Sequence, residues 1–134
     1  MAQVCVENLR LRTYIGFNPE EREKQQDVVI NAHLSYVADQ GIADDRVSAA
    51  LDYKQITKAI ITYVEGGRFL LLERLVADVL AIVARDPRVQ RAHVRIDKPH
   101  ALRFADSVSL AMSYTSDPGA PPAGNEFQSP EMSV

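Results

Sequence analysis

Lys98, Glu73 and a loop holding Glu20, Glu21 and Glu23 are the residues whose types suit the movement of protons. Pro99 follows Lys98 and biases it toward extended backbone. A lysine partly stripped of water has a lowered pKa and suits proton transfer. A lysine at a sheet edge can equally lay its stem on the core and keep its ammonium in water. Glu73 stands early in a helical apolar pattern, where a carboxylate either binds a ligand or answers the helix dipole. The three loop glutamates read either as solvated surface or as the source of one site carboxylate. His33 and His93 fall on separate strands with no local partner at ligand spacing, so they read as strand residues rather than zinc ligands. Cys5, the single cysteine, reads as a small core residue rather than a nucleophile, and no internal disulfide can form. The sequence has no phosphate-cradling glycine-rich loop and no serine or cysteine triad signature.

Six elements must position these groups. Leu9, Leu11, Thr13 and Ile15 alternate with Arg10, Arg12 and Tyr14, which predicts a strand. Val4 and Val6 have the opposite parity, so a bulge or turn is expected near Glu7-Asn8. Alternation through Val28, Ile30, Ala32, Leu34 and Tyr36 gives a second strand. Ala92, Val94 and Ile96 give a third, and Val108, Leu110, Met112 and Tyr114 a fourth. Between the second and third the period becomes helical. Ile56, Ala59, Ile60, Tyr63 and Val64 form one stripe; Leu72, Leu75, Val76, Val79, Leu80 and Val83 form another. Asp52 with Gln55 resembles a capping box, and Gly66-Gly67 separates the helices. This order predicts an α+β fold, ββααββ, with an antiparallel four-stranded sheet and both helices on one face.

If the first strand runs upward, the connections at residues 16–27, 66–71 and 97–103 meet at the top. They carry the three loop glutamates, the approach to Glu73, and Lys98 with His100 and Arg103. Lys98 shares parity with Val94 and Ile96 and leaves its strand on the helix-covered face. Tyr53 starts the first helix at the bottom. A helix of about fourteen residues is ~20 Å long, so Tyr53 cannot reach its own chain's top loops. It is either helix-start packing or part of a neighbour's site.

The 134 residues suit one domain, expected over residues 1–115. Residues 116–134, rich in Pro, Gly, Ser and Ala, read as a disordered tail. A net charge of −3 offers no basic face for nucleic acid or an anionic membrane. No apolar run approaches the ~20 residues that span a bilayer, and no basic and apolar signal segment opens the chain. A lone cysteine suits a reducing compartment, so a cytoplasmic location is expected.

Taken together, Ile15-Gly16 with Glu21 beyond it, Leu51-Asp52-Tyr53, the run from Val64 through Gly66-Gly67 to Phe69, Leu72-Glu73-Arg74, and Lys98-Pro99 resemble the dihydroneopterin aldolase family in order and spacing. The resemblance covers about residues 3–115. It implies a tunnelling fold, in which protomers close into a ring around a barrel and two rings stack as a homo-octamer. It implies a pterin substrate, sites at the subunit contacts, and no cofactor or metal. Glu73 would anchor the pterin, helped by the Leu72 backbone. Tyr53 would come from the adjacent subunit, Lys98 would give and take the proton, and Glu21 would hold the hydroxylated side chain.

The stretch from Lys98 to Ser109 (KPHALRFADSVS) resembles the branch of the family that epimerises dihydroneopterin triphosphate to dihydromonapterin triphosphate. On that reading His100 and Arg103 bind the triphosphate. Otherwise Arg103 pairs with Asp97 or Asp106 and His100 fills a turn. Two other functions stay open: the aldolase of folate synthesis, which releases glycolaldehyde, and a non-catalytic pterin-binding or partner-stimulating protein.

Overall fold

The computed structural model describes residues 1–46 and 50–116. The expected tail lies outside them apart from Ser116, whose backbone N–H donates to the Gln90 carbonyl at 2.8 Å. In chain order the elements are β1 (Ala2–Ile15), α1 (Pro19–Glu23), β2 (Gln26–Tyr36), α2 (Asp39–Asp44), α3 (Tyr53–Glu65), β3 (Arg68–Phe69), α4 (Leu72–Val83), β4 (Val89–Lys98) and β5 (Val108–Thr115).

The strands order as β3-β1-β2-β4-β5. β1 with β2, β2 with β4, and β4 with β5 run antiparallel, which is the expected four-stranded sheet. A fifth strand corrects that expectation. β3 joins the end of β1 in parallel, with Tyr14 opposite Arg68 and Ile15 opposite Phe69, so the sheet is mixed. Two residues cannot display a period of two, which hid this strand in the sequence. The short helices α1 and α2 were hidden likewise, because five or six residues carry no amphipathic stripe.

β1 carries the expected bulge. Its register against β2 shifts between Val6 and Leu9. Asn8 takes φ 56°, a left-handed conformation that asparagine tolerates better than most residues. Its N–H donates to Asn31 Oδ1 at 2.9 Å. The extra residue lets Val4 and Val6 pack against the same core as Leu11 and Ile15. Cys5 is therefore exposed, not a core residue, since it alternates with those valines.

α3 and α4 pack against one face of the sheet, and the core lies between. Ile30, Leu34, Val94 and Ile96 from the sheet are fully buried with Ile60, Val64, Leu75, Val76, Val79 and Val83 from the helices. Tyr63 departs from its stripe. It is 40% exposed, and its hydroxyl donates to Asp78, which also receives Arg74. Thr13 is the one buried polar side chain among the described residues. Its hydroxyl donates to the Val64 carbonyl at 2.6 Å, in the last turn of α3, where carbonyls lack helical partners. At the other end of α3, Asp52 Oδ1 accepts the Gln55 N–H at 3.0 Å, as a capping residue should.

Candidate active site

Three connections converge at the end of the sheet where β1 stops and β2 starts. Gly16 N–H donates to the Phe69 carbonyl at 2.9 Å, and Arg68 Nη1 donates to the Arg22 carbonyl at 3.1 Å. Lys98 Nζ donates to Glu21 Oε2 at 2.8 Å, joining the first connection to the end of β4. Lys98 keeps only 12% of its side chain exposed and Glu21 23%. The lysine stem lies on the helix-covered face, as its parity requires. Its ammonium meets a carboxylate rather than open water. Glu20 and Glu23 are exposed, so one glutamate of the three turns inward.

Local structure explains which one. Pro19 and Asn18 start α1, and the Asn18 N–H donates back to the Glu21 carboxylate. Gln26 Nε2 donates to the Ile15 carbonyl and lies 3.4 Å from Glu21 Oε2. Beneath the carboxylate sits Gly16 at φ +128°, where an added Cβ would come within 2.1 Å of the Glu21 carboxyl carbon. Only glycine allows this approach. The Lys98 hydrogen bond holds the Glu21 carboxyl below the usual glutamate range, although burial pulls the other way. Glu21 is thus held as an anion against a cation.

A cavity of about 450 Å³ opens beside the pair, lined by Tyr14, Gly16, Glu21, Arg22, Arg68 and Leu70 among others. The Arg68 guanidinium stacks over the Tyr14 ring at 3.8 Å from its centre. The cavity therefore carries a carboxylate and cationic groups together. A larger cavity of about 680 Å³ lies along α3 and α4 and includes Tyr63 and Asp78. It holds none of the site residues expected from sequence, and its size does not outweigh the chemistry at the sheet end.

The remaining expected residues lie around this centre or away from it. Leu72 is partly buried and Glu73 exposed, in the first turn of α4. α4 follows the β3 strand whose Phe69 carbonyl holds Gly16, so the first turn of α4, with Glu73, comes three to four residues after that contact. Tyr53, 51% exposed, begins α3. The length of the 13-residue helix, ~20 Å at 1.5 Å per residue, separates it from Thr13 and the sheet end. His100 Nε2 lies 3.7 Å from Asp27 Oδ2, while Arg12 holds Asp27 at 2.7 Å. Arg103 lies against Phe104, 5.6 Å from the ring centre. Asp97 is not its partner, being held by Arg95 and Ser107. Sequence reasoning missed Gln26 entirely. Only the register that sets it beside Ile15 and Glu21 reveals its part.

A partly buried lysine–carboxylate pair thus stands at the open end of a helix-backed sheet. Residues 4–113 match the dihydroneopterin aldolase family, and the chain belongs to it. Among its relatives is a dihydroneopterin triphosphate 2'-epimerase from Pseudomonas aeruginosa, 48% identical over 113 residues, covering 84% of this chain and 92% of that protein. A dihydroneopterin aldolase from Haemophilus influenzae is 29% identical over 110 residues, covering 82% and 93%. The crystal structure of Escherichia coli dihydroneopterin aldolase in complex with neopterin superposes with a TM-score of 0.80 at 25% identity, covering 85% and 99%.

Proposed function

We propose that this chain epimerises 7,8-dihydroneopterin triphosphate to 7,8-dihydromonapterin triphosphate at the second side-chain carbon. The observation that carries the reading is the gap between 48% identity to an epimerase and 29% to an aldolase, each over more than four-fifths of the chain. The Lys98–Glu21 pair supports it with a proton-handling group and an anchor for a hydroxyl.

The chemistry needs no cofactor, because the substrate supplies its own electron sink. The ring imine of a 7,8-dihydropterin is conjugated to the side chain. A base removes the proton of the second hydroxyl, the bond between the first and second side-chain carbons breaks, and its electrons enter the ring system. The ring nitrogen takes up a proton, and an aldehyde fragment forms. Re-addition to the other face of the carbonyl gives the epimer, whereas release would give an aldolase. An epimerase must therefore retain the fragment.

In this reading Glu73 and the Leu72 backbone hold the pterin. Glu21 accepts a side-chain hydroxyl, which frees Lys98 Nζ to exchange protons through water. His100 and Arg103 bind the triphosphate. The chains assemble as a homo-octamer, with Tyr53 of one chain completing the site of its neighbour. The separation of Tyr53 from the sheet end supports that division.

The test gives the purified protein the triphosphate and free dihydroneopterin separately and resolves the pterins by chromatography. The epimer should dominate on the triphosphate. Faster cleavage of free dihydroneopterin to 6-hydroxymethyl-7,8-dihydropterin, with little epimer, would make it an aldolase. Tight pterin binding with no turnover would make it a binding protein.

A further inference from the structure

The bulge in β1 brings three unlike donors together on the exposed face of the sheet. Cys5 stands directly opposite His33 in the β1–β2 register, and Glu7 lies two residues further along the same face. The Cys5 sulfur, a carboxylate oxygen of Glu7 and a ring nitrogen of His33 all lie within 4.8 Å of one another. We propose that Cys5, Glu7 and His33 bind a divalent cation of the zinc class, separate from the catalytic site.

The donor set selects the metal. A thiolate and an imidazole favour zinc or cobalt over magnesium and calcium, which prefer oxygen ligands. Three protein ligands with water in a fourth position make a recognised zinc arrangement. Zinc bonds of about 2.0–2.3 Å hold neighbouring ligand atoms roughly 3.3–3.8 Å apart. Side-chain rotation that closes the trio by about an ångström therefore completes the site, with no change of backbone.

These three groups are also not otherwise committed. Among the described residues, neither Cys5 nor Glu7 forms a side-chain hydrogen bond or ion pair, and His33 makes only a ring contact with His93 at 6.4 Å. Asp27, Asp78, Asp86 and Asp97, by contrast, are each held by an arginine. Next to the trio, the Asn8–Asn31 hydrogen bond fixes the bulge. His93 continues the row from His33 and is held by Ser113 at 2.8 Å, so it borders the site as a neighbour.

The location separates this site from catalysis. Cys5 and His33 alternate with core residues and face away from the helices, whereas Lys98 leaves β4 on the helix-covered side. Along β2, His33 is five residues from Val28, or ~17 Å at 3.3–3.4 Å each, and Val28 lies at the Lys98 end of the sheet. A metal here would clip β1 to β2 beyond the bulge.

The test uses the full chain, stripped with chelator, kept reduced, and titrated with Co²⁺ and then Zn²⁺. One cobalt per chain should bind, with a thiolate-to-cobalt charge-transfer absorption that zinc abolishes by displacement. Cys5→Ser should remove that absorption, and His33→Ala or Glu7→Gln should each weaken binding about tenfold or more. The stripped protein should retain its turnover of pterin. Absence of the charge-transfer band in the wild-type protein would overturn the proposal without recourse to any variant. So would unchanged affinity in all three variants, or loss of turnover on stripping that zinc restores.

Discussion

Lys98 Nζ and Glu21 Oε2 meet at 2.8 Å across 77 positions of sequence, and this contact joins the last residue of β4 to the short helix after β1. Neither element alone makes a site. The pair forms because β2 lies between β1 and β4 and fixes how far each reaches.

The first prediction concerns acid. Glu21 has its carboxyl held below the usual range in the folded chain. A depressed carboxyl stabilises the fold fully above the unfolded glutamate value and loses that contribution as pH falls through the folded value. Stability of the wild-type protein should therefore decline below about pH 4, near the ordinary glutamate pKa. Glu21→Gln should remove part of this decline. Denaturant midpoints measured from neutral to acid pH, at constant salt, would show it; identical slopes in both proteins would count against the pair. At neutral pH, Lys98→Ala should lower turnover by about 10²–10⁴-fold, as expected when a group that transfers protons is lost.

Gly16→Ala should damage activity more than its size suggests. The added methyl would enter the space of the Glu21 carboxyl at a backbone angle that alanine resists. Strain of this kind costs on the order of 1–3 kcal/mol. Displacement of a catalytic carboxylate by an ångström can cost about 10²-fold in rate. Circular dichroism and kinetics on one sample should show a folded protein with turnover greatly reduced. Full activity would mean that the Glu21 position is not critical.

Thr13→Val is a test of packing rather than chemistry. It keeps the shape and removes the donor to the Val64 carbonyl. The Val64 carbonyl keeps the Gly67 N–H at 3.3 Å, so the loss is that of one hydrogen bond, about 0.5–1.5 kcal/mol. The melting temperature should fall by roughly 2–6 °C at fixed protein concentration. Substrate affinity should be untouched, because Thr13 faces the core behind the site.

Triphosphate recognition separates the cationic groups. Arg103→Ala should raise KM for the triphosphate about tenfold to a hundredfold, the worth of one charge-assisted hydrogen bond, and spare free dihydroneopterin. Arg68→Ala provides the comparison, since Arg68 lines the Glu21 cavity while stacked on Tyr14. If Arg68 alone discriminates between the substrates, the phosphates lie in that cavity and the role assigned to the Lys98–Ser109 stretch is wrong.

Shared sites can be tested by complementation. Tyr53→Ala and Lys98→Ala chains, each inactive alone, should recover activity when dissociated together and reassembled. A mixed assembly has some sites with both native residues. No recovery from a mixture shown by mass to contain both chains would confine each site to one protomer.

Much of this architecture was legible from periodicity. Alternation located the four long strands and the parity break at Glu7-Asn8, and helical stripes located α3 and α4. Cys5, expected in the core from its residue type, is exposed because it alternates with Val4 and Val6, which pack against the core. What stayed hidden depended on partners far along the chain. β3 exists because the end of β1 offers it two residues of pairing. Gln26 matters because the β1–β2 register delivers it to Ile15 and Glu21. Cys5 and His33 are neighbours only across strands, so spacing along one segment could not show them as a set.

The sheet also has a consequence for how the protein behaves as a population of molecules. β3 covers the outer rim of β1 only at Tyr14 and Ile15, and β5 ends the sheet on the other side. The two rims are unlike, so a contact that joins one rim to the other runs head to tail. Such addition either closes on itself or continues as a filament, according to the angle between successive copies. The twist added by a bulge contributes to that angle. Asn8, at that bulge, would then bear on whether such a rim-to-rim assembly closes or stays open.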